Sequence, residues 1–179
     1  MFFKSKKVFG LDIGTSSIKI AEMDVGKSRA KLVSFALAPT PPGAVTAGEI
    51  TDPSAVASTI KSLVKQARLR RKNVCSGMWG PSVIVKKIAI PQMDASLIAE
   101  QIKWEAEQYI PFDVKEINLD YHLLRRRGAG GENINVILVA AKQDLILNYV
   151  ETLEASGLKC SILDVAGFAL ANCFEVNYG

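Results

Sequence analysis

Asp12, Gly14, Thr15, Ser16, Ser17 and Lys19 fall within one short stretch, VFGLDIGTSSIKIAEMD at residues 8–24. Their chemistry suits a polyphosphate. Phosphate oxygens need backbone N–H groups close by, and only small side chains let the backbone approach. Thr15, Ser16 and Ser17 add hydroxyl donors, and Lys19 offers a point charge for a β- or γ-phosphate. Asp12 would repel a phosphate directly. Its useful task is to hold Mg²⁺ through water, because that ion keeps much of its hydration shell. The turn is neither a P-loop nor a dinucleotide fingerprint, since the glycine spacings and the helix that must follow are absent.

The flanking pattern says how these residues are positioned. An apolar alternation over Val8–Ile13 predicts a strand, and Ile18–Asp24 predicts a second one leaving the turn. After Gly26-Lys27-Ser28, Lys31–Ala38 predicts a third, so the three make an antiparallel meander. Pro39-Thr40-Pro41-Pro42-Gly43 opens a surface loop. Asp52-Pro53 places a cap and a first-turn proline before Val56, Ile60, Leu63 and Val64, which predicts a helix running to about Arg70. Asn73–Trp79 and Val83–Ile90 read as strands.

The pattern then shifts. Asp94 can cap a helix ending before Pro111, with Ile98, Ile102, Ala106 and Tyr109 as its inward stripe. Ile117–Leu124 alternates as a strand, with His122 on the polar phase, and the Arg125–Gly131 segment reads as a hairpin loop. Ile134–Ala141 is nearly all apolar, as a central strand would be. Asp144–Ala155 predicts a helix stopped by Gly157, then come a strand over Lys159–Asp164 and a small-residue helix over Val165–Phe174. Asp94–Ala155 therefore reads as a helix–strand–strand–helix block inserted into a larger α/β unit.

Composition excludes several classes. With 49% apolar and 22% charged residues, the chain reads as an ordinary globular protein. No apolar run reaches the ~18 residues needed to span a bilayer. The start, MFFKSKK, has no apolar core of a secretory signal. Cys75, Cys160 and Cys173 show neither metal spacing nor a disulfide framework, which fits the reducing cytosol. Basic residues cluster at Lys4–Lys7, at Arg68–Lys72 and at Arg125–Arg127. Each cluster reads as solvated helix ends and loop tips, or as a site of attraction to anionic lipid or nucleic acid. No aromatic RNA-binding signature or zinc-finger spacing supports nucleic acid.

Residues 9–24 resemble the first phosphate motif of the actin/Hsp70/hexokinase superfamily, with Asp12, Gly14 and Lys19 on its characteristic positions. Within it, KWEAEQYIPFDVKEINLDY and VETLEASGLKCSILDVAGFALANCF are similar to the PilM family of type IV pilus assembly, itself similar to FtsA. The resemblance implies an α/β, actin-like (ribonuclease H-like) fold. Residues 1–90 plus 157–179 would form subdomain IA, and 91–156 an inserted FtsA/PilM-type subdomain IC. An actin-like ATPase closes its nucleotide with a second domain carrying another Asp-x-Gly loop and a Gly-Gly adenosine motif. Neither is present, so the resemblance implies an N-terminal half with domain II missing. ATP and Mg²⁺ would then be cofactors of the longer protein, held weakly or not at all by this half.

The resemblance also implies partners. PilM binds the N-terminal cytoplasmic peptide of PilN, an inner-membrane protein, in a groove between the two blocks; Ile102, Tyr109, Pro111 and Phe112 are the candidate residues here. Other inner-membrane platform proteins would be neighbours, with membrane association through them, no nucleic acid, and a cytoplasmic location at the bacterial inner membrane. No residue stands out as a water-positioning base. His122 reads as structural, and Glu105, Glu107 and Asp164 as wet or capping carboxylates. Slow ATP hydrolysis or none is therefore expected, and the chain alone is expected to be inactive. The alternatives are an ATPase or phosphotransferase of the same superfamily, or an FtsA-like division or type II secretion component. The inserted block favours the FtsA/PilM branch over sugar kinases.

Overall fold

Alternating apolar residues and well-placed breakers produce ten strands and four helices among the described residues of a computed structural model, namely 8–26, 30–124 and 133–178. In chain order these are β1 (Phe9–Ile13), β2 (Ser17–Val25), β3 (Ala30–Pro39), β4 (Val45–Thr46), β5 (Glu49–Ile50), α1 (Pro53–Gln66), β6 (Asn73–Met78) and β7 (Val83–Pro91). There follow α2 (Ala95–Tyr109), a 3₁₀ turn (Val114–Glu116), β8 (Ile117–Leu124), β9 (Asn133–Lys142), α3 (Gln143–Ala155), β10 (Lys159–Val165) and α4 (Ala166–Tyr178). The clusters at Lys4–Lys7 and Arg125–Arg127, the Gly130-Gly131 pair, and residues 27 and 28 of the β2–β3 connection lie outside the described residues.

The chain divides into two compact units, residues 1–81 with 146–179, and residues 82–145. The first is built on a five-stranded sheet in the order β10-β6-β1-β2-β3. β1, β2 and β3 are antiparallel, as the meander required, while β6 and β10 run parallel to β1. Alternate residues Phe9, Leu11 and Ile13 of β1, with Ile18 and Ile20 of β2, are buried on one face. Val56, Ala57, Ile60 and Leu63 of α1 are buried as well, at helical spacing. Asp52 caps α1 by accepting from the Ala55 N–H at 2.9 Å, with Pro53 in the first turn. The helix ends at Gln66 rather than near Arg70. There the backbone turns into the left-handed region at Arg68, φ 53°.

The second unit holds a three-stranded antiparallel sheet, β7-β9-β8. The nearly all-apolar β9 is central, and its Val136, Leu138 and Ala140 meet Ile98, Ile102 and Ala106 of α2 in one core. β7 pairs with β9 over Val83–Pro91, so it belongs to this sheet and not with the strands before it. The bounds of this unit thus lie at 82 and 145, where the sequence suggested 91 and 156. Local alternation predicts a strand but not its pairing partner, which is the reason for that difference. Asp94 occupies the N-cap position of α2, where its carbonyl accepts from the Leu97 N–H but its side chain makes no capping bond. Tyr109, read as the last member of the inward stripe, is 48% exposed. The chain leaves helical geometry at Ile110, and Ile110 takes the buried place.

Candidate phosphate-binding turn

The turn is locked by its own backbone and by distant elements. Gly14 N–H donates to Ser17 O at 3.1 Å, closing the β1–β2 connection. A Cβ on Gly14 would stand 3.0 Å from Ser17 O and 3.5 Å from the Lys19 Nζ, so glycine keeps this floor open. Thr40, just after β3, clamps the turn twice. Its hydroxyl donates to Gly14 O at 2.6 Å and its N–H to Ser16 O at 3.1 Å. The Trp79 indole donates to Ile13 O at 3.4 Å, and the buried Ser76 hydroxyl donates to Leu11 O at 2.9 Å. All six predicted residues therefore lie on the β1–β2 hairpin, whose turn is hydrogen-bonded to Thr40 and Trp79.

Behind Trp79 lies a second support. A Cβ on Gly48 would fall 2.0 Å from Trp79 O, and one on Gly80 would fall 2.1 Å from Ala47 O. Both glycines have positive φ, 86° and 108°. The fully buried Tyr149 of α3 donates its hydroxyl to Gly48 O at 2.9 Å. Burial, and to a lesser degree the charge of Asp12, push the Tyr149 phenol up to about 12, so it stays a neutral donor.

The charged groups meet at the mouth. Lys19 Nζ lies 2.6 Å from Asp12 Oδ2 and also donates to Ser17 O at 3.3 Å. Both side chains are open to solvent, at 38% and 51% exposure. Among the described residues, the exposed Thr15 and Ser16 have hydroxyls with no hydrogen-bond partner.

Strand register extends this site in a way the linear pattern did not reveal. Asp12 pairs with Lys19 across β1–β2. Leu11 pairs with Ser76 across β1–β6, so the next residues, Asp12 and Gly77, stand side by side. Gly77 in turn pairs with Asp164 of β10. Lys19, Asp12, Gly77 and Asp164 thus form one row across four strands. Two strand spacings put the backbones of Asp12 and Asp164 roughly 10 Å apart. Gly77 has no side chain between them, and a Cβ there would press on Ala166 at 3.0 Å. Asp164 also accepts from the Val165 N–H at 2.7 Å, a bond to the next residue of β10 rather than into α4. The Cys75 thiol is pushed up by burial first and by Asp164 second, so it remains protonated beside this row.

The predicted partner residues are placed differently. Ile102 is 1% exposed in the core of the second unit, so it is a packing residue and leaves the set of groups able to touch a partner. Tyr109 and Pro111 are exposed. Phe112 is half-buried against that core, with the Lys142 ammonium 4.7 Å from its ring centroid. Trp104 on α2 is 65% exposed. No group of three or more His, Cys, Asp or Glu side chains spaced for a metal occurs among the described residues, so a cation here would lean on Asp12, water and a ligand's own oxygens. No helix among the described residues is long and apolar enough to cross a membrane.

The fold has recognisable relatives. A solved structure titled PilM-PilN type IV pilus biogenesis complex matches with a TM-score of 0.85 at 35% identity, covering 96% of this chain and 51% of that one. This chain therefore spans about half the length of that relative. The cytoplasmic domain of EpsL, an inner-membrane component of the Vibrio cholerae type II secretion system, matches with a TM-score of 0.53 at 14% identity, over 88% of this chain and 56% of that one, a likeness of fold alone. The mixed α/β architecture is actin-like. The family described as type IV pilus assembly protein PilM matches residues 10–178, and the chain belongs to that family.

Proposed function

We propose that this chain is the nucleotide- and peptide-binding part of a scaffold in the type IV pilus assembly platform, working at the cytoplasmic face of the inner membrane. The likeness to the PilM of a PilM–PilN complex carries this reading. Gly14 leaves room for phosphate oxygens, Thr15 and Ser16 offer free hydroxyls, and Lys19 offers charge. Asp12 would hold Mg²⁺ through water once Lys19 turns to phosphate. ATP with Mg²⁺ would supply the ligand charge that these groups match. Asp164, across Gly77, is a second carboxylate facing the same row. Nothing in the row is placed as a strong base, so the reading is nucleotide-tuned assembly with slow hydrolysis or none. The N-terminal cytoplasmic peptide of a PilN-type protein would dock on the second unit through Tyr109, Pro111 and Phe112. An apolar segment suits the exposed Tyr109 beside the half-buried Phe112.

Paired titrations test this reading. The 179-residue chain and a full-length family member are each titrated with Mg-ATP and with a PilN-type peptide. The full-length protein is expected to bind both, and this chain mainly the peptide, because a one-sided nucleotide site loses many contacts. Tight Mg-ATP binding by this chain alone would overturn the two-sided site, and absence of peptide binding by both would overturn the scaffold reading. Tyr109→Ala should weaken the peptide about tenfold, as loss of an aromatic anchor does. An unchanged affinity removes Tyr109 from the contact.

A further inference from the structure

Opposite the phosphate turn, the first unit gathers positive charge at the other end of its sheet. The parallel strands β6 and β10 begin there, and β2 and β3 meet there. Lys159 N–H donates to Lys72 O at 2.7 Å, which joins the two strand starts. Arg71 reaches Glu22 of β2 at 3.3 Å, and the Ser34 hydroxyl of β3 donates to Ala67 O at 3.0 Å, which brings the end of α1 to the same place. Lys31, Arg68, Arg70, Lys72 and Lys159 are all exposed at this end, and none has an ion-pair partner among the described residues. The nearby carboxylates are fewer. Glu22 is engaged by Arg71, Asp24 stands opposite Lys31 in the register, and Glu154 is close enough to perturb Cys160.

Two further features set this end apart from an ordinary solvated helix terminus. Arg68 sits at φ 53°, where the α1 end is closed by Arg68 N–H to Lys65 O and Leu69 N–H to Val64 O, each at 3.1 Å. That position in this closure favours glycine or asparagine, yet a long cation occupies it. The same end of the sheet also carries exposed apolar side chains on β2 and β3, Val25 at 74% and Leu32 at 53%. Cations that share one end with exposed aliphatic groups match the headgroup and upper acyl region of a bilayer. A duplex nucleic acid would use the cations but leave the aliphatic groups idle.

We propose that this basic end docks directly on anionic lipid headgroups, giving the protein a membrane contact of its own in addition to any peptide tether. The observation that carries the proposal is one end of the sheet that holds the exposed cations Arg68, Arg70, Lys72 and Lys159 together with the exposed aliphatic Val25 and Leu32. Vesicle co-sedimentation of the 179-residue chain tests it, with no partner protein present, so the outcome does not depend on the peptide or nucleotide reading. Phosphatidylcholine vesicles containing phosphatidylglycerol should retain the chain at low ionic strength and release most of it as salt rises, while pure phosphatidylcholine should not retain it. The combined Arg68→Ser, Arg70→Ser and Lys72→Ser variant should bind on the order of 100-fold more weakly. Arg68→Gly separates charge from folding: relieved of the left-handed strain it should melt no lower than the parent, yet bind anionic vesicles about fivefold more weakly. Equal retention on both vesicle types, undiminished binding by the triple variant, or preference for random duplex DNA over anionic vesicles at equal phosphate would each overturn the proposal.

Discussion

The Asp12–Lys19 contact is compatible with the proposed nucleotide role. An exposed ion pair contributes about 0–1 kcal/mol, so little opposes Lys19 exchanging a carboxylate for a phosphate. The same exchange would leave Asp12 open to a hydrated cation. Asp12→Ala in a full-length family member should therefore weaken Mg-dependent nucleotide binding by roughly tenfold or more, with little change in melting temperature. Isothermal titration with and without Mg²⁺ measures it, and equal affinities would remove Asp12 from the site. These two residues were readable from the sequence because seven positions separate them across a single turn. Thr40, Trp79 and Asp164 hold or extend the same site from 26 or more residues away. Thr40 looked like the start of a surface loop between two prolines, and nothing local marks it as the clamp on Gly14 O.

At the scale of elements, the β4–β5 hairpin is the support that the sequence hid most completely. Its strands are two residues each, too short for any alternation to register. Its role rests on close backbone approach at Gly48 and Gly80, which is visible only in three dimensions. Gly48→Ala combines a positive φ with a Cβ driven into Trp79 O, so it should destabilise by about 3 kcal/mol. Because Trp79 also holds Ile13 O, the same variant should loosen the β1–β2 turn. Faster amide exchange at residues 13–17 is the expected signature, and unchanged exchange would decouple the hairpin from the turn. In the second unit, helical spacing revealed the α2 core stripe but not where it stops. Ile102→Ala should lower stability by about 2–5 kcal/mol as a core cavity, whereas Tyr109→Ala should stay within about 0.5 kcal/mol. Denaturant melts of both variants decide which residue packs and which is offered to solvent.

For the whole molecule, Tyr149 links the stability of the first unit to alkaline pH. Its hydroxyl is fully buried and donates to Gly48 O, so folding favours the neutral phenol. The phenol ionises near 10 when unfolded and near 12 when folded. Between these values the folded state holds a proton that the unfolded state has lost, so stability falls as pH rises. The contribution is complete below about pH 10 and gone above about pH 12, on the order of 2–3 kcal/mol in all. The parent's alkaline loss alone does not isolate the tyrosine. Tyr149→Phe does, because phenylalanine keeps the ring volume and removes the ionisation. At neutral pH the variant should be about 1 kcal/mol less stable, from the lost bond to Gly48 O. Toward pH 12 the difference should shrink and then reverse, because only the parent must keep a phenol protonated to stay folded. Urea melts of both proteins across this range give the difference directly, and parallel curves would mean that the tyrosine hydroxyl reaches water in the folded state.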